Sequence, residues 1–261
     1  MKKPFIIGLF LVIAMTLHGQ TLFFEELTSK EVQELAKANM TVIVPMAQIE
    51  NHGLYLPVAT DLILARETCR KAAEKNGKAI VGPSITLGNC SDYSAWPGYV
   101  VVKNLTFLEI VEDYLNSLKE QGFHKAVFYL MHGGHNFNSI DIAVSENNRD
   151  LGMKVQIICV NDLMASLRKE ITDLLQGEIH PELALMLAVS PDLVKKPEAV
   201  GKMIPPKKPN FMNIGRYYDP TYTLDKIAPD GMIPFSEKAT AAVGAKLLEL
   251  LSSALAENII K

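Results

Sequence analysis

The chain has 261 residues, 48% of them hydrophobic and 21% charged, with 26 lysines and arginines against 29 aspartates and glutamates and a formal net charge of -3. That length and apolar content suit one sizeable globular domain, and the slight acidity offers no basic surface for a polyanion, which argues against nucleic acid as a partner. The three cysteines, Cys69, Cys90 and Cys159, are odd in number and widely spaced, so no disulfide framework is expected, and no CxxC pair marks a zinc ribbon.

The chain opens with Lys2 and Lys3, an apolar run from Phe5 to Leu17, and then Gly19 and Gln20. This is the layout of a secretory signal peptide, and the run is shorter than the ~20 residues that span a bilayer. The expectation is a leader over 1–20 and a domain over 21–261, exported to the periplasm or secreted, with no stable membrane span after cleavage.

In "LTSKEVQELAKAN", Thr28 or Ser29 caps a helix that carries Val32, Leu35 and Ala36. "MTVIVPMA" is a strand ending near Pro45. "LILARETCRKAAEKNG" is a helix opened by Asp61 as cap and closed by Gly77. "KAIVGPSI" forms the next strand, and the long loop "TLGNCSDYSAWPGY" follows it; loops of that length inside a domain are more often functional than idle. "NLTFLEIVEDYLNSLKEQG" is an amphipathic helix, "KAVFYLM" a buried strand, "NSIDIAVSENNRDLG" a helix, and "KVQIICV" a strand in which Cys159 is a small core residue. "HPELALMLAVSPDLV" is helical, Lys195 to Asp230 is an aperiodic excursion or lid rich in Pro, Lys and Tyr, and "SEKATAAVGAKLLELLSSALAENI" closes the chain as a long helix. Helices alternating with strands predict an α/β domain whose mainly parallel sheet is covered on both faces.

Chemistry-bearing residues gather after two of the strands, where parallel α/β sheets collect their ligands. In "IENHGLYLPVATD", Glu50 and His52 project from the same side of an extended segment, and Asp61 follows at the next helix. In "MHGGHNFNS", His132 directly follows the strand, Gly133 and Gly134 allow a tight turn, and His135, Asn136 and Asn138 add polar groups. Mixed carboxylates and imidazoles suit Zn, Mn or Fe(II) rather than calcium. An acid between two such ions can bridge them and a bound water becomes acidic. Spacing alone leaves a metal site and an ordinary polar loop evenly matched. A third segment, "QGEIHPELALML", brings Glu178, His180 and Glu182. Its acids fit either the favoured first turn of a helix, with Pro181 as the first helical residue, or a further ligand, Glu182, with His180 or Glu178 as proton shuttle.

These residues resemble the creatininase (creatinine amidohydrolase) family over most of the chain. The family's E-x-H-G-x-x-L-P-x-x-T-D motif stands here as Glu50, His52, Gly53, Leu56, Pro57, Thr60 and Asp61. "WPGYV" from Trp96 is similar to its F-P-G-T segment, "MHGGHN" to its N-G-H-G-G-N loop, "ELALML" to its E-T-S-x-M-L helix start, and "PFSEKATAAVG" to its A-T-x-x-x-G pattern. The resemblance implies a three-layer α/β/α sandwich, a homo-oligomer, two divalent transition-metal ions, and hydrolysis of a non-peptide C–N bond in a small cyclic or linear amide by a metal-bound hydroxide. Glu50, His52, Asp61 and His132 match the metal ligands, with Asp61 as the bridge. Glu182 matches an active-site acid, and it takes on the second-metal role where the family's acid two residues after the loop histidine is replaced by Gly134.

The chain departs from the pattern at Tyr55, where the family has a second histidine, at Leu130 and Met131 in place of Asn-Gly, at His135 in place of Asn, and around His180. Tyr55, Trp96 and His135 are accordingly expected at the substrate. The alternative from another class is a non-catalytic metal- or ligand-binding protein that keeps the fold and uses the Lys195 to Asp230 excursion to hold its ligand.

Overall fold

Four β-branched runs form the strands of one sheet: β1 (Thr41–Met46), β2 (Ala79–Val81), β3 (Lys125–Leu130) and β4 (Lys154–Cys159). The computed structural model describes residues 22–89, 94–132, 139–145, 152–176, 181–204 and 224–260. The expected leader, Cys90, Glu178, His180 and His135 lie outside them, as does 205–223 of the Lys195 to Asp230 excursion. The strands are ordered β2-β1-β3-β4 and all run parallel, with Val42 opposite Ala126, Met46 opposite Leu130, and Leu130 opposite Cys159. A parallel sheet must be covered on both sides, and every residue of β1 is buried.

Alternation along the strands divides the interior in two. Ile43, Ala47, Val127 and Tyr129 face one hydrophobic cluster, and Val42, Val44, Met46, Ala126, Phe128 and Leu130 face the other. Against the first pack α2 (Thr60–Asn76), α5 (Val160–Ser166), α6 (Arg168–Leu175), α7 (Glu182–Val189) and α10 (Ala241–Asn258). Against the second pack α1 (Ser29–Lys37), α3 (Asn104–Glu120) and α4, whose described residues are 139–145. This is the expected three-layer α/β/α arrangement. Two single turns, α8 (Pro197–Val200) and α9 (Leu224–Ile227), lie within the Lys195 to Asp230 excursion.

The β2 edge of the sheet is occupied by Leu22 and Phe23, while the end of the chain is tied to β4 through a side chain. Phe23 bridges Val81 of β2, whose N–H donates to the Leu22 carbonyl at 2.9 Å. On β4, the Gln156 side chain acts as a surrogate backbone: its Nε2 donates to the Asn258 carbonyl at 2.9 Å and its Oε1 accepts from the Ile260 N–H at 3.0 Å.

Local signals set three of the helix ends. Thr28 and Glu31 form a reciprocal capping box at α1, Gly77 closes α2 with φ of 69°, and the Thr240 hydroxyl accepts from the Val243 N–H at α10. Three expectations are corrected. Helix α2 begins at Thr60, with Ala59 in the cap position and making no side-chain bond, because Asp61 lies one residue inside the helix and its carboxylate is drawn to two histidines. Pro181 is the cap residue of α7 rather than its first helical residue. Helices α5 and α6 went unread, since two short helices of 7 and 8 residues broken at Leu167 never build a long apolar period.

Candidate metal centre

Parallel strands bring the connections after β1 and β3 to the same rim of the sheet. Beyond β1 the chain stays extended: Ile49 pairs antiparallel with Val100, which places Gln48 and Glu50 on one side. The loop then closes on itself. Glu50 N–H donates to the Val58 carbonyl at 3.0 Å, Gly53 N–H to Asn51 Oδ1 at 3.0 Å, and both the N–H and the hydroxyl of Thr60 to the Pro57 carbonyl at 3.1 and 2.7 Å. Close backbone approach holds it from outside. Gly53 and Gly231 both have positive φ, and a Cβ at Gly53 would lie 2.3 Å from the Ile233 carbonyl oxygen, one at Gly231 2.0 Å from Asn51 Oδ1.

This frame brings Glu50, Asp61 and His132 together, one ligand-type atom from each lying within 4.8 Å of the others. His132 Nδ1 is 3.1 Å from Glu50 Oε1 and 3.5 Å from Asp61 Oδ2. The two carboxylates are almost wholly buried, Glu50 at 2% and Asp61 at 5% exposure. Asp61 Oδ2 has no hydrogen bond of good geometry in spite of its burial. Buried carboxylates are costly unless a cation or donors meet them, so this donor set, oxygen and imidazole nitrogen, fits a divalent transition metal.

His52 stands beside the triad. Its Nδ1–H donates to the Glu50 carbonyl at 3.2 Å, and its Nε2 lies 3.1 Å from Asp61 Oδ1. Both neighbours are acceptors, so both ring nitrogens carry hydrogen in this state. Burial opposes the positive charge, but Asp61 and Glu50 outweigh it and hold the His52 pKa up at about 9. Burial likewise opposes the charge on Asp61, yet His52 and His132 keep its pKa at about 2. A ring whose Nδ1–H is tied to a carbonyl has its other nitrogen oriented for a cation, and the Nε2 proton facing Asp61 is what a metal would replace.

Glu182 starts α7. Part of the residue reaches the surface, but its Oε2 is sealed from solvent and has no hydrogen-bond partner among the described residues. Burial pushes its pKa up, with Asp61 adding to the rise and His52 opposing it. Tyr55 and Trp96, expected at the substrate, spend their polar atoms elsewhere. Tyr55 Oη donates to the Gly201 carbonyl at 3.0 Å and Trp96 Nε1 to the Ala228 carbonyl at 2.9 Å. One polar residue escaped the sequence reading. Gln48 is fully buried beneath Glu50, with no hydrogen bond to either amide atom among the described residues; its place two residues before Glu50 on an extended strand was the available signal.

The family model described as creatinine amidohydrolase matches residues 25–259. A 3-dehydro-scyllo-inosose hydrolase of Thermotoga maritima is 26% identical over 42% of this chain and 36% of its own length. A creatinine amidohydrolase of Pseudomonas putida is 27% identical over 49% and 52%, so the chain spans about half or less of these two relatives. A mycofactocin precursor peptide peptidase of Mycolicibacterium smegmatis is 25% identical over 70% of this chain and 71% of its own. A crystal structure of creatinine amidohydrolase superposes with a TM-score of 0.77 at 23% identity, covering 91% of this chain and 96% of that one. Creatininases solved in a Zn-Zn form and a Mn form share the fold with TM-scores of 0.75. With the family model spanning nearly the whole described fold, the chain belongs to the creatininase family.

Proposed function

We propose that the protein is an exported, metal-dependent amidohydrolase that cleaves a C–N bond in a small amide. The observation that carries the reading is the convergence of Glu50, Asp61 and His132 within 4.8 Å, two of them buried carboxylates. Glu50, Asp61 and His132 would hold one divalent ion, and His52 would serve a second. An ion in this position supplies Lewis acidity toward a substrate carbonyl and lowers the pKa of water. The chain's own residues do the rest. The Glu50 carbonyl fixes the His52 ring, and the seal around Glu182 keeps bulk water from its carboxyl. Because burial raises its pKa, Glu182 is suited to hold a proton and pass it to a leaving nitrogen. The Zn-Zn and Mn forms of solved creatininases support the choice of ion, and the apolar run from Phe5 to Leu17 supports export.

The relatives' names span an inosose, creatinine and a peptide, and the peptidase is matched over 70% of this chain. Cleavage of a peptide C–N bond is therefore the second reading. The test is metal content of the purified protein, followed by turnover of lactams, formamides, ureido compounds and short peptides with Zn or Mn. The reading expects one to two ions per chain and hydrolysis of a non-peptide member; His132→Ala should abolish turnover and remove most of one ion. Turnover of peptides alone selects the second reading. Full metal with no turnover, or absence of metal, removes both enzyme readings and selects a non-catalytic binding protein.

A further inference from the structure

We infer that Tyr55 and Trp96 are positioning residues that fasten the ligand loop to the chain on either side of 205–223 and thereby set the metal affinity of Glu50 and Asp61. The inference rests on the metal reading above.

The two aromatics make equivalent bonds on opposite sides of the same segment. Tyr55 lies inside the ligand loop; its Oη donates to the Gly201 carbonyl, its own carbonyl accepts from the Lys195 N–H at 2.8 Å, and its ring meets Phe235 edge-on at 5.3 Å. Trp96 donates to the Ala228 carbonyl. It belongs to the stretch whose Val100 N–H donates to the Ile49 carbonyl at 3.1 Å and whose Gly98 lies against Val58. Both side chains are only 4% exposed. The two sides are joined to each other where Ile204 N–H donates to Asp230 Oδ2 at 2.7 Å, and Gly231 and Ile233 press on Asn51 and Gly53. The loop that supplies Glu50 and Asp61 is therefore gripped at Tyr55, at Val58 and at Gly53 by residues far along the chain.

The loop has to hold two buried carboxylates within 4.8 Å of an imidazole, with Asp61 Oδ2 lacking a hydrogen bond of good geometry, so without outside support it would relax between metal-free and metal-bound arrangements. Contacts that hold it in one arrangement raise metal affinity by removing that cost. By reciprocity, metal should protect the flanking segments.

The experiment is zinc titration of the full chain against a chromophoric chelator, in parallel with thermal melts, for the wild type, Tyr55→Phe, Trp96→Phe and Tyr114→Phe. Tyr114 makes the same kind of bond, Oη to the Pro83 carbonyl at 2.9 Å, from α3 on the opposite face. The expected result is zinc binding about three- to tenfold weaker in Tyr55→Phe and Trp96→Phe, the loss of one buried hydrogen bond, with wild-type affinity in Tyr114→Phe. If one of the two variants fails to fold, the other carries the test. Lowered melting temperatures with unchanged zinc affinity in both would overturn the inference and leave the metal reading standing. A wild type that binds no zinc would overturn both.

Discussion

The two faces of the sheet are built from different materials. On the face of α3 the gaps are filled by bulk, with Phe107, Phe123 and Phe128 wholly buried. On the face of α2, α7 and α10 small residues, Ala65, Ala72, Ala73 and Ala184, are set among leucines such as Leu64, Leu247 and Leu251, and Gly244 of α10 sits so close to α7 that a Cβ there would lie 1.8 Å from the Ala184 carbonyl oxygen. Small residues let helix axes approach, and both helix-borne acids of the centre, Asp61 and Glu182, come from this side. Large rings make a wall that only has to be full; close-packed helices aim carboxylates, and are correspondingly intolerant of added volume.

That contrast can be broken from either side. Phe107→Ala should have the largest effect, about 3–5 kcal/mol of stability for emptying the wall, while zinc affinity measured below the lowered melting temperature stays at the wild-type value; an affinity loss would show that the wall also aims the ligands. Metal itself should act through the other face, stabilising by about 2.7 kcal/mol at a free concentration 100 times Kd. In the metal-free protein, the His52 pKa of about 9 lies above its ordinary 6.5, so its contribution is complete below 6.5 and lost as pH rises through 9. Asp61, held at about 2 against an ordinary 3.8, contributes above 3.8 and loses this as pH falls through 2. Melts should therefore fall from pH 6.5 to 9.5 without zinc, and the increment added by zinc should grow over the same window, because binding at His52 releases its proton. An increment that shrinks would remove His52 from the ligand set.

Gly244→Ala adds one methyl where α10 meets α7 and should cost about 1–3 kcal/mol together with turnover, whereas Phe107→Ala spares turnover; denaturant titration beside initial rates separates them. The smallest effect on stability belongs to Glu182→Gln. A sealed, unpartnered carboxyl contributes little to folding, so stability should move by less than about 1 kcal/mol while hydrolysis is lost. A stability loss of several kcal/mol would reveal a structural ion pair instead.

The candidate site was legible to the extent that its residues are local: Glu50, His52 and Asp61 fall within one βα connection, and His132 directly follows a strand whose apolar run is plain. The sheet was legible for the same reason, since fully buried parallel strands announce themselves as β-branched runs. What depends on distant partners was not. Nothing around Tyr55 or Trp96 announces Gly201 or Ala228, which lie 146 and 132 residues away, so these bonds were not legible. Asp61 read both as a helix cap and as a candidate ligand, and its place inside α2 with two histidines against its carboxylate removes the cap reading.

The covering of the β2 edge by Leu22 and Phe23 bears on how the protein can be handled. An edge strand with unsatisfied N–H and C=O groups recruits other chains, so trimming past Phe23 uncovers a template for strand addition at β2. Soluble truncations should keep Leu22 and Phe23, and loss of both should be enough to make the chain prone to aggregate through this edge.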